Sequence, residues 1–197
     1  MKPNQVPIPD RMKHLPLDRR GYPILYGVYV DKSGKPHFTI NDERARVMMR
    51  ERDLCSVCGH KLFRGRWFAG GPGSAFHPEG CYIDMPMHDE CVHYALMVCP
   101  YLALPNYARE IGENAAKKLT DEIIAIDETM IPDRPAVFVA VMAIGQTYVG
   151  ERMVSGQYVR PNRPYRKIEY WQHGRQLPDD VGKALADANL AALPSMA

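Results

Sequence analysis

At 197 residues with 46% hydrophobic content, the chain can bury a true core, as one large domain or two small ones, and its formal net charge of +2 selects no class of partner. The longest apolar run, residues 136–144, is less than half a membrane-spanning helix, and the first nine residues hold three prolines and no apolar stretch. This excludes a membrane segment and a secretory signal and predicts a globular cytoplasmic protein. The five cysteines, odd in number and partly paired in spacing, suit a reducing compartment and a metal better than a disulfide framework.

Residues 1–22 are rich in proline and basic side chains and show neither helical nor strand period, so they read as an extended arm lying over the domain or a partner. Over residues 1–20, Lys2, Arg11, Lys13, Arg19 and Arg20 stand against Asp10 and Asp18. Residues 24–30 and 36–40, apolar and β-branched around Gly34, predict a β-hairpin. Asn41 or Asp42 then caps a helix with Glu43 at its start and Arg50 and Arg52 near its end, the polarity the helix dipole favours. That helix delivers the chain to Cys55.

Cys55-x-x-Cys58 is a pair of thiols that can grip one ion where the backbone turns tightly, and Gly59 lets the knuckle close. The matching half is His88-x-x-Cys91. Asp84 as a cap and Pro86 in a first turn place His88 and Cys91 three residues apart on one helical face. Between the halves, residues 61–68 alternate apolar and basic side chains and are broken by Gly70, Gly71 and Gly73, which predicts a hairpin. Knuckle, hairpin and helix start, in that order, make a treble clef. The expected ligands are Cys55, Cys58, His88 and Cys91, with Cys81 the first alternative to His88 and His77 and His60 behind it. Cys99 lies roughly 12 Å further along the helix, too far to share the ion. Zinc held by four protein donors is structural and worth about 10 kcal/mol to folding. The competing reading is a set of buried thiols.

Pro100 ends that helix, and residues 100–106 form the one plausible seam. The organisation is then an arm over 1–22, a hairpin, helix and zinc module over 23–105, and a C-terminal α+β region over 106–197 packed on it. Residues 108–130 read as a helix whose acids form a solvated face, 136–144 as a buried strand, and 146–154 and 158–171 as further strands. Residues 179–193 form a last helix with Val181, Ala184, Leu185 and Leu190 as its apolar stripe. The fold class is α+β, a treble-clef module flanked by an amino-terminal hairpin and a C-terminal antiparallel strand-and-helix layer.

Residues 152–175 carry six basic side chains against Glu169. Arg160, Arg163, Arg166 and Lys167 with Trp171 combine phosphate contacts with a stacking surface, as proteins that hold single-stranded nucleic acid do. The plainer reading is an antiparallel sheet with its polar residues outward. Other chemistries fare worse. His77-Pro78-Glu79 has the His-x-Glu of zinc deaminases, but their Cys-x-x-Cys follows it and here it precedes. His14, in a His-Leu-Pro-Leu context, sits 41 residues ahead of the knuckle, whereas HNH nucleases keep the catalytic histidine inside the finger, and His77 and His93 lack the acidic and asparagine neighbours that role needs. The loop at Gly70–Ser74 has no Gly-Lys-Ser/Thr for phosphate.

Residues 8–12 and 15–23, the Cys55-x-x-Cys58-Gly59 pair, His88-x-x-Cys91-x-x-Tyr94-Ala95 and Cys99-Pro100-Tyr101-Leu102 together resemble a family of small phage and bacterial zinc-binding proteins, most strongly over residues 8–105. The resemblance implies a treble-clef zinc site and a phage or prophage origin, and implies no activity. The function expected is a non-enzymatic binding module for nucleic acid or a host nucleoprotein, acting in the host cytoplasm. The alternatives are an HNH-like metal-dependent nuclease and an inhibitor of a host protein. A small-molecule substrate is not expected.

Overall fold

A computed structural model of the chain describes residues 5–103, 135–150 and 158–192. The helix expected over 108–130 lies outside the described residues, as do 151–154 of the following strand. The architecture is mixed α and β with antiparallel sheets. Val28–Val30 (β1) and Pro36–Asn41 (β2) pair as the expected hairpin. Its turn is closed by Asp31, whose Oδ1 accepts the backbone N–H of Ser33 and Lys35, with Gly34 at φ +82°. Glu43–Arg52 (α1) follows, and the Asp42 carboxylate caps it by accepting from the N–H groups of Arg44 and Ala45.

The central sheet joins distant parts of the sequence. Gly65–Gly70 (β3), Phe138–Ile144 (β4), Lys167–Gln172 (β7) and Arg175–Gln176 (β8) lie in that order, all antiparallel, while Gln146–Val149 (β5) and Tyr158–Pro161 (β6) pair beside it. Side chains alternate across a strand, so each of the three main strands feeds two cores. Trp67, Phe138, Ala140 and Trp171 face a cluster that includes Met12, Leu15, Cys55, Cys58, Cys91 and Leu96. Phe68, Val139, Val141 and Tyr170 face another with Met49, Ala75, Tyr82 and Ala186. Being buried on both faces, β4 reads in sequence as an unbroken apolar run.

Pro72–Phe76 (α2), Asp89–Val98 (α3), Pro100–Ala103 (α4) and Asp179–Ala191 (α5) complete the elements. Several differ from the sequence expectation for identifiable reasons. No consecutive hairpin spans residues 61–70. With Trp67 and Phe68 both buried, β3 is drawn into the sheet against β4, and its other edge meets Met87 through the reciprocal bonds of the Trp67↔Met87 bridge. That bridge keeps the chain extended up to His88, so α3 starts at Asp89 and Asp84 does not cap it. The glycine-rich loop is partly helical, because Pro72 suits a first helical position. On α5 the buried face is Gly182 and Ala186, with Val181 and Ala184 exposed, because the helix approaches β7 closely enough that only small residues fit. The amino-terminal arm contains a 3-10 turn at Asp10–Met12, and Met12 is wholly buried. No helix among the described residues is long and apolar enough to cross a membrane.

Candidate metal centre

The knuckle is built by backbone bonds at both ends. Gly59 N–H donates to the Cys55 carbonyl and Cys55 N–H to the His60 carbonyl, and Leu54 bridges to Lys61. Gly59 has φ +72°, and a Cβ there would lie 2.6 Å from the Tyr26 ring, so both conformation and space demand glycine. Neighbouring segments fix the loop in place. Tyr26 and Gly27 donate to the carbonyls of Val57 and Ser56, while Ser56 donates through its N–H to Pro86 O and through its hydroxyl to Met85 O. The last two bonds tie the knuckle directly to the segment that carries His88.

Cys55, Cys58, His88 and Cys91 are all buried, and one donor atom from each lies within 4.8 Å of the other three. A tetrahedral ion with sulfur at about 2.3 Å needs neighbouring donors roughly 3.8 Å apart, so the cluster is compatible with one metal ion. His88 occupies the N-cap position of α3 but makes no side-chain cap bond, because its ring is turned into the cluster. Its Nε2 lies 3.0 Å from the Lys61 carbonyl, which can only accept, so the proton sits on Nε2 and the Nδ1 lone pair faces Cys58 Sγ at 3.3 Å. Metal-binding histidines are oriented by this kind of outer hydrogen bond.

Crowding three thiols separates their proton affinities. Burial alone would raise Cys55, yet hydrogen bonds from Cys58 and Cys91 bring it well below the ordinary thiol range. The hydrogen bond to the Cys55 sulfur pushes Cys58 up to about 11, and bonds to Cys55 and Cys58 drive Cys91 higher still. A divalent cation relieves this conflict by accepting several thiolates at once.

The other sequence candidates lie elsewhere. Cys81 and Cys99 are half-buried outside the cluster. His77 accepts the Glu79 N–H at 3.2 Å in the loop after α2, and exposed His60 stacks on His14 with ring centroids 4.5 Å apart. His93 points Nδ1 at the Asp89 carbonyl (2.8 Å) and Nε2 at Glu169 (2.7 Å).

The basic stretch is largely engaged within the fold. Arg160 binds the Glu79 carboxylate at 2.9 Å and the carbonyls of Glu79 and Gly80. Arg163 donates to the carbonyls of Ala75 and His77, and Tyr165 to that of Ala75, closing the carboxyl end of α2. Lys167 pairs with Glu169 at 2.6 Å and lies over the Trp67 ring, and Trp171, almost fully buried, donates to the same carboxylate. Arg166 is exposed. Sequence reasoning passed over Glu169 as the lone acid of a basic stretch. Its surplus of basic neighbours was the signal that it is the buried counter-charge.

No family model, curated protein or solved structure significantly matches this chain.

Proposed function

We propose that the protein is a non-enzymatic binding module held together by one structural zinc ion, with nucleic acid or a host nucleoprotein as its partner. The observation that supports this most directly is the buried set of three thiols and one imidazole, already oriented through Lys61. Zinc is the ion that favours such a donor set, and four protein donors complete its tetrahedron, leaving no position for water or substrate. Cys55, Cys58, His88 and Cys91 would hold it, and the chemistry it supplies is cross-linking. The knuckle, the Trp67↔Met87 bridge and the start of α3 fit a treble clef whose hairpin is reduced to one bridge and whose strand is shared with the larger sheet. The sequence resemblance to small phage and bacterial proteins supports a setting in the host cytoplasm.

Elemental analysis of protein purified without chelator should give one zinc per chain, and cobalt substitution should give the visible bands of a tetrahedral thiolate site. A metal-free folded protein would sink the reading. Recovery of one protein from nuclease-treated lysate, with no oligonucleotide binding, would replace the nucleic-acid partner by a host protein.

A further inference from the structure

The arm and the knuckle, separate in sequence, meet on one face. Arg11 lies over the Phe63 ring at 5.1 Å and pairs with Glu90 on α3 at 2.7 Å, and His14 stacks on His60. Met12, between those two arm residues, is buried in the metal-side core. Phe63 is therefore held by Arg11 and by an edge-to-face contact with the His88 ring, 5.1 Å away, yet 61% of it remains exposed, the most of any large hydrophobic side chain among the described residues. On either side of it Lys61 and Arg64 are exposed and ion-pair with no described residue. Phe63 is thus a fixed ring, open to solvent, between two uncommitted cations.

We infer that this arm–knuckle face binds single-stranded nucleic acid, with a base stacked on Phe63 and phosphates on Lys61 and Arg64. The inference rests on the nucleic-acid reading above and relocates its interface. Charge complementarity favours a polyanion, and an isolated open ring selects one whose bases are unstacked, since bases in a duplex offer no free face. The surface is also pre-organised. The Lys61 carbonyl is bound by His88 and the His60 carbonyl by Cys55, so the backbone under Lys61 is fixed by the metal cluster, and Arg64 immediately precedes β3, so the segment gives up little freedom on binding. The segment from β6 to β7, by contrast, directs Arg160, Arg163 and Lys167 to acceptors within the fold.

The test is fluorescence anisotropy of labelled oligothymidylate with the zinc-loaded full chain, alongside a duplex of the same length and inorganic polyphosphate as competitor. Phe63→Ala should weaken binding roughly tenfold. Lys61→Glu combined with Arg64→Glu should reduce the slope of log K against log salt by about 1.4, as expected for two single-strand phosphate contacts. Arg166→Glu should change neither. Zinc content and circular dichroism of each variant confirm that the fold is kept. Three results would overturn the inference while leaving the functional reading standing: Phe63→Ala binding like wild type, the loss falling on Arg166→Glu instead, or the duplex binding as well as the single strand. Polyphosphate competing as well as the oligonucleotide would remove the stacking contact and overturn it too. Failure of the wild-type protein to bind any nucleic acid would overturn the inference together with the nucleic-acid partner of the functional reading.

Discussion

At the scale of single residues, two positions carry more than their size suggests. Gly59 combines a left-handed backbone with a ring 2.6 Å from where a Cβ would stand, so Gly59→Ala is expected to cost about 1–3 kcal/mol, read as a lowered urea midpoint of the zinc-loaded protein. Glu169 is the second. Its carboxylate is buried, which by itself raises its proton affinity, but hydrogen bonds from Lys167, His93 and Trp171 outweigh burial and hold it below the ordinary glutamate range. Its folded-state value is thus depressed relative to the unfolded chain. The stabilisation is complete above the unfolded value of about 4.3 and is lost as pH falls through the lower folded value. Glu169→Gln should remove about 1–3 kcal/mol at neutral pH and flatten that acid limb of the stability curve. At this scale the sequence was informative wherever spacing alone settles geometry, as it does for Cys55 and Cys58. It left His88 competing with Cys81, His77 and His60 because what separates them is the carbonyl of Lys61, a long-range partner that no spacing reveals.

Among the elements, those formed from local signals were readable: the first hairpin, α1 with its Asp42 cap, and β4 with its apolar run. The elements set by partners far away in the chain were not. β3 pairs with β4, its partners Val139–Ile144 lying far along the chain, so residues 61–70 read locally as a self-contained hairpin. On α5 hydrophobicity points to Val181, Ala184, Leu185 and Leu190, of which Leu185 packs against the core while Val181 and Ala184 are exposed, because closeness of approach decides for Gly182 and Ala186. Gly182 provides the test. A Cβ there would lie 2.1 Å from Tyr170 Cβ, so the helix would have to move off β7. Alanine improves intrinsic helix propensity by about 1 kcal/mol, while overpacking typically costs about 1–3 kcal/mol. Gly182→Ala is expected to lower the melting temperature despite making a better isolated helix, and a rise would show that α5 packs less closely than described.

For the molecule as a whole, the proposed ion is a large fraction of the stability. Structural zinc contributes about 10 kcal/mol, against a net stability of about 5–15 kcal/mol for an ordinary domain. Chelation should therefore dismantle at least the core that contains Cys55, Cys58, Cys91, Trp67 and Trp171. Both tryptophans lie in that core, so loss of near-ultraviolet circular dichroism and a red shift of emission should follow metal removal and reverse on adding zinc. Met12 shares the core, and the arm around it should become sensitive to protease at the same time.

β3 is held on one edge by β4 and on the other by the residue that immediately precedes His88. Binding of the proposed ion and sheet pairing would then be two readings of one equilibrium, and reciprocity requires each to shift the other by the same factor. A methyl group trimmed from the far side of β4, in the core opposite Cys55, Cys58 and Cys91, would loosen the grip on the ion, and a chelator titration would serve as a strain gauge for the strands.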